Sequence, residues 1–321
     1  MKILGIGEVL VKFTPINRGR LRYETIFERH VGGSEANIVV GMSRFEYEPV
    51  FFTAVGDDEL GECIISMLNA EKVENGFVKV GSGFTPVIFE QRGYPIHSKT
   101  DVLYYRKGSA FSNISPQDIH MEMFDGVDLL VLSGITPSLS ESCFSTSKKI
   151  VEIAKERNIK FVFDTNIRKK LLPDSESALN TLEFFIRRAD ILITGTGDLE
   201  HMFPNLSLDD QIKNLRNFTS TDLIVLKMGK EGARAYKGKD IFEAKSFEVE
   251  VIDETGAGDA FDAAFLSSYL SGKTIEESLT YGNAAGAIVV GAVGDIEPLP
   301  NWKEIETFIT FQKGGEKRLM R

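Results

Sequence analysis

The sequence predicts an α/β protein in which a mostly parallel sheet lies sandwiched between helices, with a second, smaller β-sheet beside it. Three observations carry that prediction. From Ile119 onward the apolar runs Val127–Leu132, Lys160–Phe163, Ile191–Thr194 and Leu223–Lys227 alternate with the helically patterned segments Glu141–Arg157, Ser175–Arg187 and Ser207–Phe218. That rhythm is the mark of a sheet covered on both faces. The stretch Pro86–Arg106 differs in character: Phe89, Tyr94, Tyr104 and Tyr105, punctuated by Gly93 and Pro95, read as two strands joined by a long turn. Finally, 42% hydrophobic residues in 321 supply a sizeable core, and no repeat, low-complexity tract or Pro-rich linker divides it.

In chain order, Ile3–Gly7 reads as a short buried strand. Gly5-Ile6-Gly7 lacks the third glycine and the following helix of a dinucleotide fingerprint, so a nicotinamide enzyme is set aside. The alternating Val9–Phe13 and the strand-like Arg20–Arg29 join Pro86–Arg106 in the small sheet. This excursion, spanning about 9–30 and 85–107 of one main domain, is placed to serve as a lid over a ligand. Then His30-Val31-Gly32-Gly33-Ser34-Glu35-Ala36-Asn37 leads into a helix through Phe45, with Ser34 as its cap. Gly33, Ser34 and Asn37 at that helix mouth can grip a hydroxylated ligand, or form an ordinary capped loop. Val50–Val55 is a strand and Leu60–Asn69 a helix; Arg234–Tyr236 with Ile241–Glu243 is a hairpin; Thr274–Val290 and Trp302–Thr310 are closing helices. Ser133-Gly134, Asp164-Thr165-Asn166 and Met228-Gly229 stand at the carboxyl ends of strands, where such sheets bind ligands.

The balance of 37 Lys plus Arg against 47 Asp plus Glu, a formal charge of −10, argues against nucleic-acid and anionic-membrane partners. An anionic ligand must then be held by local cations. Cys63 and Cys143 fit no metal-ligand spacing and read as reduced thiols. With no signal pattern and no run long enough to span a bilayer, a soluble cytoplasmic protein is expected.

The most informative stretch is Asp253-Glu254-Thr255-Gly256-Ala257-Gly258-Asp259-Ala260-Phe261, which runs into the helically spaced Phe261–Leu270. Glycines at a helix start expose backbone N–H groups to an anion. Asp259 repels that anion unless it takes a proton from whatever attacks a phosphorus atom. The alternative is that Thr255 and Asp259 cap the helix and the glycines make a turn. On the motif alone, both readings stand.

Taken together, Gly5-Ile6-Gly7-Glu8, Gly32-Gly33-Ser34-Glu35-Ala36-Asn37 and Asp253–Asp259 resemble the ribokinase-like (PfkB) carbohydrate kinases from end to end. The resemblance implies a ribokinase-like three-layer α/β/α sandwich with a β-sheet lid, ATP as donor and Mg2+. It implies that Asp259 is the base and that the amides of Gly256, Ala257 and Gly258 hold the charge of the transferring phosphoryl group. Nucleotide contacts carry over to Asn166, Lys227, Gly229, Gly232, Gly256, Gly258 and Asn283. Many relatives carry an Asn-x-x-Glu element near the metal; Gly197-Asp198-Leu199-Glu200 is matched to it here, with Glu200 kept and the asparagine lost.

Within the family, Gln91-Arg92-Gly93-Tyr94-Pro95, Tyr104–Ala110 and Asp164-Thr165-Asn166-Ile167-Arg168 look most like kinases of 2-keto-3-deoxygluconate. A sugar acid carries a carboxylate, for which Tyr104, Arg106 and Arg168 form the expected clamp. Gly33, Ser34, Asn37 and Asp295 are the remaining expected substrate contacts, while a lid tyrosine of some relatives is Ile88 here. Apolar Ile88 and Phe89 on the lid imply pairing of two lids in a homo-oligomer. Fructokinase- or ribokinase-type activity, a nucleoside kinase and a non-catalytic sugar sensor are the rival readings.

Overall fold

The computed structural model describes residues 1–93 and 101–314. Tyr94 and Pro95 of the expected lid stretch lie outside them. The first half contains β1 (Lys2–Ile6), β2 (Leu10–Pro15), β3 (Phe27–Gly32), α1 (Ser34–Arg44), β4 (Glu48–Phe52), β5 (Ala54–Val55), α2 (Glu59–Ala70), β6 (Lys79–Val80), β7 (Val87–Gln91), β8 (Asp101–Tyr105), β9 (Val127–Ser133), α3 (Ile135–Ser138) and α4 (Glu141–Glu156). The second contains β10 (Lys160–Asp164), α5 (Ser175–Ile186), β11 (Ile191–Gly195), α6 (Thr196–Met202), α7 (Leu208–Phe218), β12 (Leu223–Lys227), β13 (Ala233–Lys237), β14 (Asp240–Ala244), α8 (Ala257–Leu270), α9 (Ile275–Val290) and α10 (Trp302–Gly314).

The main sheet has the order β14-β13-β12-β11-β10-β9-β1-β4, parallel except for β13 and β14. Alternation along each strand feeds two cores. Ile3, Leu129, Val131, Val162 and Val225 face α1, α8 and α9, while Leu4, Leu130, Phe161, Phe163 and Leu226 face α4, α5 and α7. Three layers follow. The chain leaves β1 toward β4 on one side and later returns to place β9 on the other, so the carboxyl end of β1 is a switch point where an open crevice forms.

The smaller sheet has the order β3-β2-β7-β8. The expected strand over Arg20–Arg29 is corrected: Leu21–Tyr23 is a single 3-10 turn and pairing starts at Phe27. One face of this sheet turns Lys12, Thr14, Ile88 and Glu90 inward, all buried. The other carries a cluster in which Phe89 stacks on Phe13, with Phe27 and Tyr105 edge-on to it. The expectation that Ile88 is exposed is therefore wrong, because the pleat places it against the body. On β8 the exposed side chains of this outer face are Leu103 and Tyr105, at 41% and 58%. No helix among the described residues is long and apolar enough to cross a membrane.

Candidate active site

Helix α8 is apolar almost all round, since it packs between the sheet, α1 and α9. Its start is set by Gly256 at φ +78°, a left-handed conformation that disfavours any side chain. Thr255 does not cap the helix: its N–H and hydroxyl both donate to Asp253 Oδ1 (3.0 and 2.7 Å). The N–H groups of Gly256, Ala257 and Gly258 have no acceptor among the described backbone hydrogen bonds, and these residues line two adjoining clefts.

Asp259, one turn in, is buried. Ser34 Oγ donates to its Oδ1 and Asn37 Nδ2 to its Oδ2, both at 2.8 Å. Ser34 is thus the first residue of α1 and not its cap, which is Gly33. Asn166, held at φ +34°, donates from Nδ2 to Ser34 Oγ (2.7 Å), so three elements converge on one carboxylate. Burial pushes the Asp259 carboxyl up, against the opposing pull of Asn37, Lys227, Ser34 and Arg168.

Lys227, at the end of β12, is clamped by Asp164 (2.9 Å) and by both oxygens of Asp262 (3.0 and 3.1 Å). Burial alone would lower its pKa, but Asp164 and Asp262 more than offset that and keep it charged. Burial, and then the charge of Asp164, hold Asp262 well above its ordinary value despite Lys227. Beside them Asp198 accepts from Thr165 Oγ1 (2.6 Å) and the Ile167 N–H (3.2 Å), and burial followed by Asp164 pushes its carboxyl up. Glu200, the residue matched to the metal side, is corrected here. It is exposed on the far side of α6, where it accepts from Gln211 Nε2 (2.8 Å). Two residues earlier, Asp198 is the α6 carboxylate that faces the cleft.

That cleft, of about 800 Å³, is lined by Asp259, Gly256, Gly258, Asn166, Arg168, Tyr104, Asp198 and Lys227, and also by Arg18 and Arg92, which were not anticipated. Arg106 is not on its wall. It pairs with buried Glu8 through Nε (2.8 Å) and Nη2 (2.6 Å), and Ser109 Oγ donates to the other Glu8 oxygen. Gly33 is also set back: its backbone lies flat against Glu8 O, where a Cβ would collide. Asp295 is buried and takes a hydrogen bond from Lys12 Nζ (2.9 Å). Like Ser34 and Asn37, these three expected substrate contacts are not among the residues that line the cleft.

A second cleft of about 820 Å³ meets the first along Lys227, Val251, Glu254 and Gly258. Phe247, Val249, Phe261, Ala287 and Val290 make it more apolar, and Gly229, Gly232 and Asn283 line it. Gly232 sits at φ +103° with its Cα against Ala244 O, and Asn283 Nδ2 donates to Ala244 O (3.0 Å) and Lys245 O (3.2 Å). A flat apolar cleft and a polar one thus share a wall of helix-start amides with a buried base at its foot, which is the layout of group transfer between two bound molecules.

Residues 2–302 match the profile of the pfkB family carbohydrate kinases. The chain belongs to that family. Among its relatives is a 2-dehydro-3-deoxygluconokinase of Thermoproteus tenax, 34% identical over 96% of this chain and 94% of the relative. A 2-dehydro-3-deoxygalactonokinase of Haloferax volcanii is 27% identical over 92% of each. Of solved structures, a putative ribokinase II from E. coli in complex with ATP and Mg2+ superposes with a TM-score of 0.89, at 26% identity, over 97% of this chain and 99% of the other. The pfkB kinase described here therefore has the α/β fold of ribokinase-like kinases, as the sequence predicted.

Proposed function

We propose that this kinase transfers the terminal phosphoryl group of ATP to the C6 hydroxyl of 2-keto-3-deoxygluconate, giving 2-keto-3-deoxy-6-phosphogluconate. The observation that carries the reading is Asp259, held on both oxygens by Ser34 and Asn37 at the foot of the Gly256–Gly258 amides, between two joined clefts. The apolar cleft, with Gly229, Gly232 and Asn283, takes the nucleotide. The polar one takes the sugar acid, whose carboxylate meets Arg168 and Tyr104 with Arg18 and Arg92 nearby.

Asp259 accepts the hydroxyl proton as the sugar oxygen bonds to the γ-phosphorus and the bond to the β-bridging oxygen breaks. The amides of Gly256, Ala257 and Gly258 receive the charge that builds on the phosphoryl oxygens. Lys227, held by Asp164 and Asp262, lies on the wall that the two clefts share and places a fixed positive charge beside the transferring group. Asp164 Oδ1 is buried and has no hydrogen-bond partner among the described residues, near the cleft-facing Asp198, and this pair fits Mg2+ held chiefly by phosphate oxygens and water. When bound, Mg2+ supplies charge neutralisation on the phosphates.

The small sheet acts as a lid, and its aromatic outer face pairs with that of a second copy. A panel assay of ADP release tests the substrate. The expected result is kcat/KM for 2-keto-3-deoxygluconate at least about 100-fold above fructose and ribose, because a neutral sugar leaves the donors of Arg168 and Tyr104 without their acceptor once the site closes. Equal or higher values for a neutral sugar would overturn it. The C4 epimer belongs in the panel, given the Haloferax volcanii relative.

A further inference from the structure

Lys12 sits in the middle of a lid strand, yet its side chain is only 2% exposed. An ammonium ion buried that deeply is costly unless it is fully paired. Its Nζ reaches Asp295 Oδ1 at 2.9 Å, Asp253 Oδ2 at 3.0 Å and Glu90 Oε2 at 3.3 Å. These partners come from three places: the loop after α9, the loop before α8, and β7 beside Lys12 in the small sheet. Glu90 Oε2 also accepts from Thr14 Oγ1 (2.9 Å), which binds the two lid strands to the same point.

Two of the partners frame the amide cradle. Asp253 uses its other oxygen to hold the N–H and hydroxyl of Thr255, the residue that delivers the chain to Gly256. Asp295 lies against Gly256 itself, since a Cβ built there would be 3.2 Å from Asp295 O. One ammonium therefore joins both walls of the left-handed Gly256 turn to the root of the small sheet. The burial cost is met by three carboxylates on one cation, an arrangement with no role in packing alone.

We propose that Lys12 is a positioning residue for phosphoryl transfer, fastening the lid root to both backbone segments that shape the Gly256–Gly258 amide cradle. The inference rests on the kinase reading above. Without the ammonium, Asp253 and Asp295 repel each other, the Thr255–Gly256 turn loosens, and the amides lose their aim while both clefts keep their walls.

The experiment compares Lys12→Met with the parent chain in steady-state kinetics and amide hydrogen exchange. The expected result is kcat lower by about 100-fold, as for a misplacement of about 1 Å, with KM for ATP within about threefold. Exchange at the Thr255 amide, bonded to Asp253 Oδ1, and at the Ala260 amide, bonded to Gly256 O, should quicken by about tenfold or more while β9 and β10 stay protected. If Lys12→Met does not fold, Lys12→Met with Glu90→Gln, which removes one unpaired carboxylate, is measured in the same way. A kcat within about threefold of the parent, or faster exchange spread evenly through the sheet, would overturn the proposal. The exchange arm needs no substrate, so it reads Lys12 even if the parent chain phosphorylates no sugar acid, a result that would instead remove the proposed function.

Discussion

Two arginines that look equivalent in the sequence have opposite fates. Arg168 is exposed on the cleft wall and opposes in small part the rise that burial gives Asp259, whereas Arg106 is spent on Glu8, a carboxylate that burial pushes up even against that arginine. Arg168→Ala should weaken sugar-acid binding by about tenfold or more, leave neutral sugars nearly unaffected, and change unfolding free energy by less than about 0.5 kcal/mol. Arg106→Ala should instead cost about 3 kcal/mol of stability, since it strands a buried carboxylate. Chemical denaturation and substrate titration of both variants separate the two. The roles of residues near Asp259 were legible because a carboxylate beside exposed amides has few other uses. The commitment of Arg106 to Glu8 was not legible: their partnership spans 98 positions and no local pattern records it. Lys12 did leave a signal, a lone charge inside the apolar alternation of Val9–Phe13. Asp198 was quoted in the matched stretch but passed over, because a helix of seven residues shows no period that tells its cleft face from its outer face.

Among the elements, α1 shows how a polar contact sets the geometry of the site. Glu35 in its first turn is fully buried and accepts from the Ser133 N–H (2.9 Å), Ser133 Oγ (2.8 Å) and Thr136 Oγ1 (2.7 Å), tying α1 to the end of β9. Burial, only partly opposed by those hydrogen bonds, raises its pKa from 4.5 to about 7. A raised carboxyl favours the folded state fully below pH 4.5, and that contribution is lost as pH rises through about 7. Glu35→Gln keeps the accepting oxygen and cannot ionise. Urea unfolding should therefore show the variant gaining about 3 kcal/mol on the parent between pH 4.5 and 8; parallel pH profiles would contradict it. Most strands and long helices were readable from periodicity to within a residue or two, but Val50–Val55 divides into β4 and β5, which belong to different sheets, and α10 runs past Thr310 to Gly314. Arg20–Arg29 misled because its β-prone composition belongs to a polar turn, and α6, at seven residues, is too short to show a period.

At the scale of the molecule, the switch point beside β1 gathers the ends of β9, β10, β11 and β12 under the start of α8, and the small sheet stands over them. The alternation of apolar runs announced the layers, but neither the strand order nor the meeting of two clefts at Gly258 can be read from a linear pattern. The aromatic outer face of the small sheet, with Leu103 and Tyr105 exposed, belongs to this scale as well. If two such faces pair, Leu103→Glu with Tyr105→Glu should reduce the mass seen by light scattering to that of one 35.7 kDa chain. A parent chain already at that mass would contradict the pairing. The formal charge of −10 extends into the polar cleft, where five carboxylates face four cations, so an anionic sugar would depend on the individual placement of Arg18, Arg92 and Arg168.

The measurement closest to the centre of this account is turnover by Asp259→Asn, with ATP and sugar-acid binding followed by calorimetry on the same preparation. Loss of about 10³-fold in kcat with both ligands still bound is the predicted result, since the amide can sit between Ser34 and Asn37 yet accept no proton. Turnover close to that of the parent chain would contradict it.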